Sequence, residues 1–153
     1  MKQQHKPVSL ELAALYRHWC RADAIRYVLF SSNKEEAIRD KNVHEAETIS
    51  TMFRLEVLYA LTFVVIEGYR ELNLQDPIID KLLAISPYAD QLRRFRNGVF
   101  HYQTDPFGRK LMDFMTAKES ETWMLDLHKA FQQFFLKTLP IQEKLDEMGW
   151  KGA

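Results

Sequence analysis

Apolar residues recur at steps of three and four along most of this 153-residue chain. They form one-sided helical stripes from Leu12 to Phe30 and from Met124 to Phe135. Between these stripes, a helix is expected from about Val43 to Leu72, and its middle, Leu55 to Ile66, is apolar on nearly every side. A helix of that kind lies in the middle of a bundle. Only 5 glycines and 5 prolines interrupt the chain, so the spacing predicts an all-α fold, an up-down bundle of about five helices.

Two proline dipeptides predict where helices begin in the second half of the chain. Asp76-Pro77 and Ser86-Pro87 each join a side chain that can cap free backbone N–H groups to a proline that fits the first helical position. We therefore expect one helix from Pro77 to Ile85 and another from Pro87 to about Tyr102.

The remaining segments carry weaker signals. Thr116-Ala117-Lys118-Glu119 is typical of a capping box and predicts the start of the last long helix. Arg109 to Met115 is ambiguous between a short helix and a strand, and the polar stretch from Ser31 to Asn42 is expected to be a loop. Residues 1–153 are interpreted as one domain, with a core over about 8–139 and a tail over 140–153.

Charge and cysteine usage exclude several classes of protein. Lys plus Arg and Asp plus Glu number 21 each, which argues against coating nucleic acid through bulk charge but allows a local basic site. The single cysteine, Cys20, excludes an intramolecular disulfide and a Cys-rich zinc site. No spacing of His or acidic residues is typical of a zinc protease or an EF-hand, so neither a metal nor a cofactor is expected.

The N-terminal region and the apolar runs bear on localisation. Charged residues interrupt the first 30 positions, which therefore lack the apolar block of a signal peptide. No uninterrupted apolar run reaches about 18 residues, the length that a membrane-spanning helix requires. We expect a cytoplasmic protein with no membrane segment.

The residues with the most chemistry share one predicted helix. Arg93, Asn97 and His101 follow one another at steps of four, so they lie along one helix edge, which Arg96 flanks. Arginine can grip a phosphate through two parallel hydrogen bonds, and histidine can move a proton near neutral pH. Asparagine can hold the imidazole or a ribose hydroxyl. Because RNA supplies its own nucleophile, the 2′-hydroxyl, this set suits cleavage of an RNA phosphodiester without a metal.

The other side of this helix is expected to face the core. Its predicted buried stripe comprises Tyr88, Leu92, Phe95, Val99 and Tyr102. Gly98 costs about 1 kcal/mol relative to alanine inside a helix. A glycine there indicates that another backbone packs closely, as in a tight helix crossing or a dimer seam.

The segment Arg96-Asn97-x-x-x-His101 resembles the Arg-polar-x(3–5)-His motif of HEPN domains. These are small all-α bundles found in RNA-cleaving toxins, abortive-infection proteins and RNA-processing enzymes, and their motif lies in the helix before the last long one, as it does here. The resemblance implies a metal-independent endoribonuclease of toxin or phage-defence type. It also implies a homodimer that pairs two motifs across a two-fold axis, and it allows an antitoxin partner.

The same resemblance assigns roles to three residues. Arg96 would stabilise charge on the phosphorane, His101 would transfer the proton, and Asn97 would position one of them, leaving a 2′,3′-cyclic phosphate. Some HEPN toxins carry a tyrosine two residues after the histidine, which an antitoxin modifies. Here that position is Gln103 and Tyr102 directly follows His101, so this regulation is not carried over.

Two other functions stay open at this point. Many HEPN domains are non-catalytic modules, so the chain could instead bind RNA, a nucleotide or a protein partner. A helical oligomer without any ligand is the third interpretation. In an enzyme, Arg96 and His101 should face a shared cleft that is open to solvent.

Four further residues are candidates for supporting roles: Tyr102, which directly follows His101, and Asp23, Glu67 and Arg93. Asp23 lies on an aromatic-lined helix face and needs a partner there, and pairing with an arginine is the structural explanation. Glu67 could orient an active-site arginine, or simply mark where the second helix meets solvent. Arg93 could steer a phosphate, or belong to an exposed basic face. His128 is expected to be a core or interface histidine whose hydrogen-bonding groups are satisfied.

Overall fold

The computed structural model describes residues 9–31, 41–85, 87–141, 143 and 149, and within these ranges every regular element is a helix. The described residues form six helices: α1 Leu10–Ser31, α2 Lys41–Glu71, α3 Pro77–Leu83, α4 Tyr88–Phe100, α5 Arg109–Met115 and α6 Ser120–Thr138. The all-α class is confirmed. The helix count exceeds the expected five because the ambiguous segment over 109–115 forms α5. Most of the predicted loop over 31–42 and most of the tail over 140–153 lie outside the described residues.

The core forms where α2 and α6 meet the other helices. α1 and α4 pack against α2, while α3 and α5 pack against α6. The ring of Tyr69 on α2 makes edge contacts with Phe131 and Phe134 on α6. The predicted stripe of α6 is confirmed, because all of its members are buried: Met124, Leu127, Phe131, Phe134 and Phe135.

The middle of α2 is apolar on nearly every side, as predicted. Val65 and Ile66 are fully buried, and Phe63 is nearly so. By length and composition alone, Glu45–Glu71 would qualify as a membrane-crossing helix, although the sequence contains no uninterrupted apolar run of that length. A few charged residues interrupt this helix, which is nevertheless apolar on average. In this fold 39% of an apolar 18-residue stretch of it is buried.

The start of α3 agrees with the sequence, and the start of α6 does not. Asp76 Oδ1 accepts hydrogen bonds from the backbone N–H groups of Ile78 and Ile79, at 2.9 and 3.1 Å. The predicted capping box at Thr116 is wrong, because the Thr116 hydroxyl donates to the Met112 carbonyl oxygen at 2.7 Å and so closes α5 instead. Helix α6 begins after Glu119, which is left-handed at φ 61° and makes no side-chain cap. The other predicted cap, Ser86, lies outside the described residues.

Helix α4 is shorter than predicted, and this changes two expectations. It ends at Phe100, and His101 is extended at φ −118° and ψ 141°. Tyr102 therefore does not complete the buried stripe and is 91% exposed. His101 likewise does not continue the helix edge of Arg93 and Asn97, because its backbone has already left the helix.

Gly98 is explained by a contact within the chain. A Cβ atom placed on Gly98 would lie 3.0 Å from Leu111 Cδ2 and 3.3 Å from Lys110 Cβ. A tight helix crossing and a dimer seam were the two explanations expected for this glycine. The close contact with α5 is sufficient to explain it. The glycine gives no independent support for a dimer seam.

Candidate functional site

Arg96 is held between α4 and α2. Its Nη2 donates to Glu67 Oε1 at 2.7 Å, and its Cζ lies 5.5 Å from the centre of the Phe63 ring. Its Nε is buried without a hydrogen-bond partner among the described residues. The side chain keeps 22% of its surface exposed, through which an anion can approach it. The guanidinium is thus oriented by α2, and its charge is partly neutralised there.

Glu67 therefore orients the candidate arginine, which was one of the two roles expected of it. It also meets solvent, since its side chain is 52% exposed. An ion pair this exposed contributes little to stability, typically below about 1 kcal/mol. Its main effect is on the direction in which Arg96 points.

His101 and Asn97 lie at the end of α4. The His101 backbone N–H donates to the Asn97 carbonyl oxygen at 3.2 Å, which makes His101 the C-cap of the helix. The His101 side chain is exposed, and the Asn97 side chain is half-buried. An exposed imidazole at a helix end can reach a ligand in solvent without any rearrangement of the core.

Arg93 is bound to a neighbour on its own helix. Its Nη2 and Nε donate to Asp90 Oδ1 at 2.9 and 3.2 Å. With Arg70 at the end of α2, it also lines a shallow groove between α2, α3 and α4. Neither Arg96 nor His101 lines this groove.

Hollows among the described residues include one between α1, α2 and α6, one between α1 and α2, and one beside Arg93. Arg96 and His101 line none of these three. The Arg96 side chain is partly exposed and that of His101 is exposed, so a single chain presents both to solvent.

Asp23 belongs to a separate cluster, which joins α1 to α6. Its Oδ1 accepts from Arg26 Nε at 2.9 Å and lies 2.9 Å from His128 Nε2. His128 is buried and stacks on Trp19, with ring centres 5.1 Å apart. The predicted arginine partner of Asp23 is confirmed. His128 is buried, as predicted, but only its Nε2 has partners, because its Nδ1 is buried without a hydrogen-bond partner among the described residues. The cluster makes no hydrogen bond or ion pair with Arg96, so Asp23 is not brought together with the motif.

Burial lowers the pKa of His128, because the charged imidazolium is poorly solvated inside the protein. The hydrogen bond and charge of Asp23 oppose this effect, while the positive charge of Arg26 adds to it. A crevice with room for about one water molecule lies beside His128 and Arg26.

We expect the free energy of unfolding to fall as the pH drops below about 6.5, the ordinary histidine pKa. The folded state binds the His128 proton less tightly than the unfolded chain does, so protonation favours unfolding. Urea titrations at about pH 7.5 and about pH 5 measure the change. The His128→Gln protein should show a smaller loss over the same range. An equal loss in both proteins would contradict the assignment to His128.

Sequence reasoning missed one partner of the candidate site and one partner of the separate Asp23 cluster. Phe63, beneath the Arg96 guanidinium, had no sequence signal that distinguishes it from other core aromatics. Arg26 follows Asp23 by three residues, a spacing that places both on one helix face and could have identified the pair. Among the described residues, no group of three or more His, Cys, Asp and Glu side chains is arranged to hold a metal ion.

Comparison of the chain with protein-family models, with curated proteins and with solved structures gives no match.

Proposed function

We propose that this protein is a metal-independent endoribonuclease that uses Arg96 and His101, with the up-down bundle topology of a HEPN domain. The observation that carries the proposal is the geometry at the end of α4. There Arg96, whose guanidinium is oriented by Glu67 and Phe63, precedes the last turn of α4, and the exposed His101 follows the helix as its C-cap. Both residues stand in the Arg96-Asn97-x-x-x-His101 arrangement that resembles the HEPN motif.

The reaction needs only groups that RNA and the protein supply. The ribose 2′-oxygen attacks the adjacent phosphorus as its proton leaves, and the bond from phosphorus to the 5′-oxygen breaks. The products are a 2′,3′-cyclic phosphate and a 5′-hydroxyl. An imidazole can take the first proton or give the second, and the arginine stabilises the negative charge that builds on the phosphoryl oxygens.

Glu67 acts as a positioning residue in this proposal. Its carboxylate accepts a hydrogen bond from Nη2 of Arg96, which limits the directions in which the guanidinium can point. The same carboxylate repels an approaching phosphate, so binding is favoured when Arg96 turns its remaining donors toward the ligand. Asn97 would position Arg96 or His101 through its half-buried side-chain amide. Its backbone carbonyl oxygen accepts the His101 N–H, as that of any residue at this position would.

The proposal includes a homodimer in the cytoplasm, in which two copies of the motif meet across a two-fold axis. A two-fold interface brings the same patch of both subunits together, so two imidazoles would serve one phosphate. Light scattering at micromolar concentration should then give about twice the 18.1 kDa chain mass. A monomer would contradict the paired site. An antitoxin partner would cover the same surface.

Incubation of the purified protein with mixed RNA in EDTA tests the proposal. We expect cleavage to products that end in a 2′,3′-cyclic phosphate, and we expect DNA to survive because it lacks the 2′-hydroxyl. A requirement for added Mg²⁺ would contradict the proposed chemistry.

A non-catalytic module that binds RNA, a nucleotide or a protein partner is the second candidate. The observation that favours it is the existing ion pair, since Glu67 already neutralises part of the Arg96 charge that cleavage requires. In this case wild-type protein binds RNA or a nucleotide in EDTA and cuts neither. The same incubation, read by both binding and cleavage, separates the two functions.

A further inference from the structure

We infer that the loop between α4 and α5, residues 101–108, is a platform on which unpaired bases of single-stranded RNA stack. The inference deepens the proposed function, on which its choice of RNA rests. Two of the most exposed aromatic side chains in the described part of the chain lie in this loop, Tyr102 at 91% and Phe107 at 74%. Tyr102 directly follows His101, the candidate proton-transfer residue, and Phe107 comes later in the same loop.

The loop presents these rings on an ordered backbone. Gln103 Nε2 donates to the carbonyl oxygens of His101 and Tyr102, at 2.9 and 3.0 Å. Its Oε1 accepts from Lys110 Nζ at 3.3 Å, which ties the loop to α5. Asp105 Oδ1 accepts from the Phe107 N–H at 2.9 Å and forms the turn that follows. Because the backbone is tied down on both sides, less conformational freedom is lost when a ligand binds.

The charge around the loop is suited to a polyanion. Residues 88–118 contain six Lys and Arg residues and three Asp and Glu residues, a net charge of +3 in a chain whose total is zero. Two of the three acids, Asp90 and Asp113, are paired with arginines of α4, and Arg96 is paired with Glu67 of α2. Arg109 and Lys110 follow the loop directly and are exposed. Phosphates of a strand whose bases stack on the loop would therefore meet a positive surface.

Stacking on protruding rings selects for unpaired bases. In a duplex the base faces are covered by their neighbours, whereas in a single strand they are free to stack on aromatic side chains. Such stacking tolerates any base, since every base has an aromatic face. We therefore expect single strands to be preferred over duplexes, with little dependence on sequence.

Single-stranded DNA separates binding from cleavage in the test, because it offers the same base faces without a 2′-hydroxyl. Fluorescence anisotropy of a fluorescein-labelled oligothymidylate measures the affinity for the full-length protein. Tyr102→Ala and Phe107→Ala should each weaken binding about tenfold. Tyr102→Phe keeps the ring and should bind as wild type does. The matched control is Phe53→Ala, which removes an exposed aromatic ring from α2.

Several results would overturn the inference. Absence of wild-type binding, equal affinity for a duplex of the same length, or wild-type affinity in both alanine variants would each do so. Light scattering provides a further check: if the alanine variants convert a dimer to a monomer, the rings form a protein contact instead. If wild-type protein binds the strand through both rings yet cuts no RNA, the proposed ribonuclease fails while this inference stands.

Discussion

RNA cleavage by the His101→Ala protein is expected to be about 10²–10⁴-fold slower than by wild type, the usual contribution of general acid–base catalysis. The effect should appear in the rate at saturating RNA, since the imidazole acts on the reacting protons and contributes little to binding. His101 is exposed beyond the end of α4, so its removal should leave the thermal transition of the protein unchanged. Single-turnover cleavage of an end-labelled RNA measures the rate.

Arg96→Lys should lose cleavage as well, although the positive charge remains. A lysine ammonium cannot form two parallel hydrogen bonds to a phosphate, and it does not place a planar cation over the Phe63 ring. The matched controls are His18→Ala and Arg94→Lys, which change the same residue types outside the motif. Cleavage at wild-type rate by the His101→Ala protein would show that the site is elsewhere.

Phe95→Ala should lower the free energy of unfolding by about 3–5 kcal/mol. Phe95 lies on the same helix as the motif and is fully buried between α2 and α5. Its ring centre is 6.0 Å from that of Tyr59 and 5.8 Å from that of Phe114, so truncation leaves a cavity at the centre of an aromatic cluster. The loss combines the transfer of the ring to water with the contacts that its neighbours no longer make.

Phe100→Ala, on the same helix, is the matched control because its side chain is 48% exposed. It should change stability by less than about 0.5 kcal/mol, as surface substitutions usually do. For a chain of this size, 1 kcal/mol shifts Tm by about 2–4 °C, so the two variants should differ by about 6–20 °C in a thermal melt. Similar melting temperatures would mean that the described packing around Phe95 is wrong.

The long helices were predictable because their apolar spacing is regular. The stripes of α1 and α6 follow from steps of three and four, and the Asp76 cap follows from a local pair of residues. The start of α6 was not predictable from Thr116, because a threonine can bond to the preceding or the following helix with similar local geometry. Only the packing of α5 decides which bond forms.

The side-chain contacts were harder to predict than the helices, because most of them join residues that are far apart in the sequence. The Asp23–Arg26 pair lies within one helix and is accessible to spacing arguments, whereas His128, its third member, is 105 residues away from Asp23. Glu67 and Arg96 lie 29 residues apart, and their ion pair depends on how α4 crosses α2. Helix α4 ends two residues before its predicted end, and for this reason Tyr102 lies on the surface and not in the predicted buried stripe.

The stack of Trp19 on His128 gives this protein a built-in optical reporter. Indole emission is quenched by a protonated imidazole in contact with it, so the fluorescence of Trp19 should dim when His128 gains a proton. If Trp123 and Trp150 are replaced by phenylalanine, the remaining tryptophan emission comes from Trp19. It then reports whether His128, at the contact between α1 and α6, is protonated. The contact between Trp19 and His128 therefore allows the protonation of a buried histidine to be followed by fluorescence.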